Sequence, residues 1–255
     1  MTPIKFRETE KIYHYTTKES GKAILSSMRL RMSPQSKMND INEYDRRIFT
    51  FGCELEDIEA EMSKYYQSSF TLDNVRVPGF AIPTMWGHYA EQGRGICLVF
   101  DKEKLRSRIY NLGYFQRKVD YLNDYDPSII VNDKNPEQYV LRNMKQLFFT
   151  KSKDWSYERE YRVISRSNVE PAEIDISDCI IAVIVNNFKD IDCNEQQTNS
   201  PTYKTLINSL KGTDIPVLLL NMAPLNGKYE LINYEPDING KIWYPKQSKI
   251  IGIDI

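Results

Sequence analysis

Residues 11–33, KIYHYTTKESGKAILSSMRLRMS, place a strand, a helix and a second short strand in close succession. The aromatic and β-branched stretch Lys11–Thr16 predicts the first strand, and apolar residues at helical spacing predict a helix over residues 18–28. Residues 29–33 alternate between polar and apolar side chains, which predicts another strand. The chain therefore mixes strands and helices at short range.

The rest of the chain continues this mixture. Apolar runs at 96–100 and 179–185 are short enough to be buried strands. Further patterns predict strands over 114–122 and 158–165, and helices over 42–66, 85–91, 102–111, 136–149 and 203–211. The elements do not follow the regular rhythm of a parallel βαβ fold, so we expect an α+β protein whose residues 1–255 form a single domain.

The composition is that of an ordinary globular protein. The 255 residues are 41% hydrophobic and 27% charged, and 34 basic against 35 acidic side chains leave a net charge of −1. Residues 1–166 carry +4 and residues 167–255 carry −5. The charge of +4 on residues 1–166 is too weak for a protein around which nucleic acid wraps. It is compatible with a pocket for a small phosphorylated ligand in this part of the chain.

No membrane segment or disulfide scaffold is expected. The longest apolar run, Cys179–Val185, has seven residues, whereas a membrane-spanning helix needs about 20. The N-terminal residues lack the apolar stretch of a signal peptide. The four cysteines form no Cys-x-x-Cys pair. We therefore expect a cytoplasmic protein that does not bind membranes.

Only two histidines are present, and both lie among aromatic residues. His14 stands in Tyr13-His14-Tyr15-Thr16, and His88 follows Trp86 and Gly87. A histidine in such surroundings is either a hydrogen-bonded structural residue or a ligand-binding one, and the sequence leaves both open. No His-x-His, His-Glu-x-x-His or Cys/His pair is present, so we expect no metal site.

Residues 155–162, WSYEREYR, form the most distinctive cluster of charges. On a strand, alternate side chains share a face, so Glu158, Glu160 and Arg162 are expected together. Two carboxylates on one face repel each other unless a cation lies near them. We therefore expect Arg162 to pair with Glu158 or Glu160, in a solvated outer face or in a ligand site.

Two polar segments have more ordinary interpretations beside functional ones. Asn39 or Asp40 can cap a helix with Glu43 completing a capping box, which we favour for Asp40, while Asn39 could also face a pocket. Lys151 and Lys153 could meet phosphates or lie in an exposed loop.

Together these segments resemble a bacterial family described as a domain of unknown function. The shared motifs are Tyr-His-Tyr-Thr from Tyr13, Asn-Asp-x-x-Glu from Asn39, Met-Trp-x-His-Tyr from Met85, and Lys-Ser-x-x-Trp-x-Tyr-Glu-x-Glu-Tyr-Arg from Lys151. The match spans about residues 11–235 in order. This resemblance implies no particular activity.

The chain also resembles, more weakly, the ADP-ribosyltransferase superfamily of the His-Tyr-Glu type. This resemblance implies a mixed, largely antiparallel sheet with helical insertions, and NAD as a substrate rather than a metal cofactor. It implies catalytic roles for Glu160, which would hold the ribose 2′-hydroxyl and stabilise the oxocarbenium-like state, and for Glu158, which would orient the acceptor. The residues implied in NAD binding are His14, Tyr15, Thr16, Trp86, Tyr89 and Arg162.

Within this resemblance, His14 would bind a ribose hydroxyl, and Tyr89 or Trp86 would stack on the nicotinamide ring. The central Ser-Thr-Ser strand of the arginine-modifying members is missing, so the acceptor, a protein or a nucleic acid, is left open. An NAD-consuming toxin or phage-defence enzyme is the first hypothesis. A non-catalytic nucleotide- or protein-binding module and an RNA-directed phosphate-transfer or nuclease-like enzyme are the alternatives.

Overall fold

The structure, a computed structural model, describes residues 9–38, 40, 43, 48–126, 128–168, 172–186, 205–206, 208–210, 212–223, 228–236 and 243–252. These residues belong to two compact units. Unit 1 contains the described residues of 1–29, 71–105 and 176–255, and unit 2 contains those of 30–70 and 106–175. The single-domain organisation stays a prediction.

The strands are β1 (Lys11–Thr16), β2 (Arg29–Arg31), β3 (Ser33–Pro34), β4 (Ile48–Thr50), β5 (Tyr65–Leu72), β6 (Ile96–Asp101), β7 (Phe115–Lys118), β8 (Asp120–Leu122), β9 (Ile129–Val131), β10 (Thr150–Ser152), β11 (Glu160–Arg166), β12 (Glu173–Asp175), β13 (Ile180–Asn186), β14 (Val217–Ala223), β15 (Lys228–Pro236) and β16 (Trp243–Gly252). The α-helices are α1 (Lys18–Ser27), α2 (Leu55–Met62), α3 (Pro83–Tyr89), α4 (Lys102–Asn111), α5 (Pro136–Arg142) and α6 (Met144–Phe148).

Unit 1 is built around the strand β6, whose six residues are all buried. Its strands follow the order β16-β15-β14-β13-β6-β1. β13 and β14 run parallel, whereas the other neighbours in this order run antiparallel. In the β1–β6 pair, His14 lies opposite Leu98. α1 follows β1 directly, because the Thr17 side chain accepts a hydrogen bond from the backbone of Ser20 and caps the helix.

Unit 2 places β11 between β5 and β7, and β3 pairs with β5 so that Ser33 lies opposite Gln67. α2, α5 and α6 cover a core in which Tyr65 of β5 stacks on Phe148 with ring centroids 4.9 Å apart. Ile164 of β11 belongs to the same core. The face of β11 that carries Ile164 also carries Glu160 and Arg162, since alternate residues of a strand share a face.

The observed elements confirm the α+β prediction with a mixed, mostly antiparallel sheet. The helix predicted over 42–66 is wrong: β4, α2 and the start of β5 occupy this range. Residues 48–50 pair with β9 as a strand instead of forming a helix. Gly52 follows, at a point where a Cβ atom would lie 2.8 Å from the carbonyl oxygen of Asp133, so this close approach favours glycine. The β-prone pair Tyr65 and Tyr66 then begins a buried strand. Of the helix predicted over 203–211, only parts lie within the described residues.

Among the residues that the structure describes, no helix has the length and apolar character needed to cross a bilayer. The cytoplasmic location stays a prediction.

Candidate functional site

Five charged side chains form a buried cluster inside unit 2. Arg162 is fully buried, and the others are at most 4% exposed. Three carboxylates face two cations, so each ionised group has an oppositely charged neighbour. We call this group the charge cluster, and its members are Glu43, Lys151, Glu158, Glu160 and Arg162.

The local backbone brings both predicted catalytic glutamates into this cluster. Residues 153–158 form a 3₁₀ helix that ends at Glu158, and Arg159 adopts a left-handed conformation with φ 48° and ψ 48°. β11 then starts at Glu160. The strand predicted from Glu158 is therefore wrong at its start. The left-handed turn rather than strand alternation directs Glu158 and Glu160 inward.

Arg162 is held by contacts on three sides. Its Nε donates to Oε1 of Glu160 and its Nη2 donates to Oε2, both at a distance of 2.7 Å. Its Nη1 donates to the Phe148 carbonyl at 2.6 Å and lies 2.7 Å from Oε1 of Glu43. The expected pairing of Arg162 with a neighbouring glutamate is confirmed. Its buried position shows that this face is not a solvated outer surface.

Lys151 joins the three carboxylates of the cluster. Its Nζ lies 2.8 Å from Glu158, 3.2 Å from Glu160 and 3.6 Å from Glu43. The ring of Trp155 lies over the same ammonium group at 5.3 Å. The sequence allows Lys151 to be either a phosphate ligand or an exposed loop residue. It is neither exposed nor directed at solvent, and its charge is used inside the protein.

The cations of the cluster favour the ionised form of Glu160. Burial alone would raise the pKa of Glu160, but the charges of Arg162 and Lys151 outweigh it and hold that pKa well below its usual range. Burial would lower the pKa of Lys151, and Glu160 and Glu43 instead raise it. The pKa of Arg162 is raised for the same reason. The two cations therefore stabilise the negative charge of Glu160 in the interior of unit 2.

Ser69 of β5 connects Glu160 to a less buried part of the unit. Its hydroxyl hydrogen bonds to Glu160 and contributes to the lowered pKa of that carboxyl group. Ser69 is partly exposed, although the four residues before it on β5 are buried. The Nε2 of Gln67 donates to the Ser69 hydroxyl at 3.5 Å. Ser69 is not predicted from the sequence, because the pattern up to residue 66 favours a helix and conceals the start of β5.

Glu43 also has a role that its sequence position did not reveal. The sequence assigns it to a capping box, whereas its carboxylate pairs with Arg162 and Lys151. Its backbone N–H donates to the carbonyl of Asp40, which is buried as well. Asn39 lies outside the described residues.

In unit 1, His14 is the partly exposed residue of an otherwise buried strand β1. Tyr15 and Trp86, which the resemblance also implies in NAD binding, are packed into the core of the unit. The hydroxyl of Tyr15 donates to the Gly79 carbonyl at 2.6 Å, and Nε1 of Trp86 donates to the Phe80 carbonyl at 2.8 Å. The two rings contact each other edge to face at 5.2 Å. These contacts satisfy both polar groups within the unit.

The remaining predicted residues of unit 1 differ in exposure. Thr16 is buried, whereas Tyr89 at the end of α3 is partly exposed. The ring of His88 lies 6.3 Å from that of Tyr89. His14 and Tyr89 belong to unit 1 and Glu160 to unit 2, and their convergence on one cleft stays a prediction.

In the described parts of the chain, no three His, Cys, Asp or Glu side chains are grouped in a way that could hold a metal ion. The charge cluster does not offer such a site, because its carboxylates already face Lys151 and Arg162.

Residues 85–163 match the model of one protein family. That family is described as "Protein of unknown function (DUF2971)". The match includes Trp86, Tyr89, Lys151, Glu158, Glu160 and Arg162. It confirms the resemblance to a family of unknown function over this range, while the four shared motifs and the link to ADP-ribosyltransferases stay predictions. No curated protein and no solved structure matches the chain significantly.

Proposed function

We propose that the chain is an ADP-ribosyltransferase-like enzyme that consumes NAD, acting as a toxin or a phage-defence effector in the cytoplasm. The observation that carries this proposal is the hydrogen bond between Ser69 and Glu160. It links a carboxylate whose pKa is lowered by Arg162 and Lys151 to a partly exposed position on β5. A negative charge beside a partly exposed serine suits a reaction in which positive charge develops on a sugar.

In the proposed reaction, the bond between the ribose C1′ and the nicotinamide nitrogen breaks. Its electron pair leaves with nicotinamide, and the ribose develops oxocarbenium character. Water or an acceptor then attacks C1′ and releases a proton. The charge of Glu160 stabilises the cationic state, and Glu158 orients the attacking group.

The other predicted residues divide into two groups in this proposal. His14 and Tyr89 are partly exposed and would contact the ribose and the nicotinamide ring. Trp86 is only 2% exposed, so its role would be to support this region from the core. Arg162 is a positioning residue, because its guanidinium reaches Glu160 and not the solvent.

A non-catalytic nucleotide-binding module is the second candidate. The observation that favours it is the burial of Glu158 and Glu160, which are 3% and 4% exposed and are both paired with cations. Carboxylates held in this way can serve to fix the backbone around a binding site without reacting themselves.

The test is the release of nicotinamide from NAD by the purified chain, together with transfer of labelled ADP-ribose to candidate protein and nucleic-acid acceptors. The Ser69→Ala variant removes the proposed link to Glu160 and leaves the cluster's ion pairs in place. Ser165→Ala is its matched control: Ser165 lies on β11 and is fully buried, and its hydroxyl has no hydrogen-bond partner among the described residues.

The proposal predicts nicotinamide release by the wild type and by Ser165→Ala, and at least tenfold slower release by Ser69→Ala, since one hydrogen bond to a charged group is worth about 1.5–3 kcal/mol. Binding of NAD without release would support the second candidate. Release that is equal in all three proteins would reject the role of Ser69.

A further inference from the structure

Two buried glutamines in unit 2 have unused hydrogen-bonding groups. Gln35 is 8% exposed and Gln67 is 2% exposed. Within the described part of the chain, both amide atoms of Gln35 and the amide oxygen of Gln67 are without a hydrogen-bond partner. Buried amides are almost always satisfied in folded proteins, so these groups require an explanation.

The backbone pairing of β3 with β5 brings Gln35 and Gln67 near each other. Ser33 of β3 lies opposite Gln67, and the intervening Pro34 is extended with ψ 154°. Gln35 begins the 3₁₀ helix Gln35–Lys37 directly after Pro34, so its backbone leaves β3 close to Gln67. Diagonal positions on paired strands are about 7–8 Å apart between Cα atoms, and two glutamine side chains can span a separation of that order. Together the two amides present one free donor and two free acceptors.

This pair is connected to the proposed reactive carboxylate. Gln67 donates to the hydroxyl of Ser69, and Ser69 hydrogen bonds to Glu160. Gln67 and Ser69 are two residues apart on a strand and share a face. A group bound to the free oxygen of Gln67 would polarise this chain of hydrogen bonds.

We infer that Gln35 and Gln67 form a binding site for a flat group that carries a hydrogen-bond donor beside an acceptor in one plane. A primary carboxamide and the edge of a nucleobase have this chemistry, and the Asn or Gln side chain pairs with such edges in two parallel hydrogen bonds. Under the proposed function, on which this inference rests for its ligand, NAD supplies both groups, in its nicotinamide and in its adenine.

The experiment measures binding of nicotinamide and of adenosine by saturation-transfer NMR and calorimetry, with nicotinic acid and benzene as probes that lack the amide. The variants Gln35→Met and Gln67→Met keep the size of the side chain and remove its polar atoms. Gln116→Met is the matched control, because the Gln116 amide is already used by the Tyr161 hydroxyl and the Arg106 carbonyl.

The inference predicts that one of the two amide-bearing probes binds the wild type, and that each of the Gln35 and Gln67 variants weakens binding at least about tenfold. Without ligand, these variants keep or raise the melting temperature, because they remove unsatisfied polar atoms. Gln116→Met shows the reverse pattern, with lower stability and unchanged binding. Nicotinamide binding identifies the carboxamide as the occupant, and adenosine binding identifies the base.

Two results would overturn the inference: binding that is unchanged in both variants, or melting temperatures that fall in both variants while no probe binds. The second result would indicate that ordered water satisfies the amides. Neither result depends on turnover of NAD, so the proposed function is judged separately by nicotinamide release.

Discussion

Arg162 binds Glu160 through two parallel hydrogen bonds of 2.7 Å, with Nε donating to Oε1 and Nη2 donating to Oε2. The two residues are neighbours on one face of β11, and both are buried. Paired, bidentate contacts of this kind fix the orientation of the carboxylate as well as its charge. The third arm of the guanidinium reaches Glu43, so one arginine joins two distant segments of unit 2.

Replacing Arg162 by Met is expected to destabilise the protein strongly. The substitution leaves Glu160 and Glu43 buried with Lys151 as their remaining cation, and breaking a buried ion pair on one side typically costs about 3–5 kcal/mol. The measurement is the free energy of unfolding in urea. Arg166→Met is the control, because Arg166 pairs with Glu61 but its side chain is 30% exposed, and a smaller loss is expected. Equal losses in the two variants would contradict the account.

Glu160→Gln is expected to affect both stability and turnover. The amide keeps the shape of the side chain but removes the charge between Arg162 and Lys151, so the melting temperature should fall. Losing the charge should slow nicotinamide release by about 100–1000-fold, or roughly 2.7–4 kcal/mol in the barrier. Rates are compared at a temperature where circular dichroism shows both proteins to be folded. A stable variant with normal turnover would reject both roles.

Glu158→Gln should separate hydrolysis from transfer. Glu158 contacts Lys151 at 2.8 Å and makes no bidentate pair with Arg162, so its neutralisation disturbs the cluster less than that of Glu160. We expect nicotinamide release to persist and labelling of the acceptor to fall, because Glu158 acts on the incoming nucleophile. The two products are quantified in one reaction. A parallel loss of both products would assign the two glutamates to the same step.

Acid should weaken unit 2 through Glu61. Burial would raise the pKa of Glu61, but hydrogen bonds from Arg166 and Lys64 outweigh it, and the pKa is lowered. A carboxyl group with a lowered pKa in the folded state contributes stability above its unfolded pKa of about 4.3. That contribution is lost as the pH falls through the folded pKa. Urea unfolding is measured between pH 7 and pH 3. The free energy of unfolding should fall more steeply with decreasing pH for the wild type than for Glu61→Gln. Identical slopes would contradict the assignment.

The sequence predicted the parts of the site that depend on near neighbours. Arg162 and Glu160 are two residues apart, so strand alternation was enough to predict their pairing. Glu43 was not predicted as a partner, because its contact with Arg162 is made by the tertiary fold. Its local pattern indicates a capping box equally well.

The role of β5 could not be predicted for a different reason. The Glu- and Lys-rich residues before β5 favour a helix, whereas the pairing of residues 48–50 with β9 is made by the tertiary fold. With the strand unrecognised, the shared face of Gln67 and Ser69 was hidden as well. The buried strand β6 was predicted, because an apolar run of this length has few other interpretations.

The most direct test of the central claim is the time course of nicotinamide release when the purified chain is incubated with NAD, followed by liquid chromatography. The account predicts release by the wild type, little release by Glu160→Gln, and wild-type release by Glu61→Gln, which removes a comparable buried carboxylate paired with Arg166. Absence of nicotinamide release by folded wild-type protein, both alone and with candidate acceptors, would contradict the account.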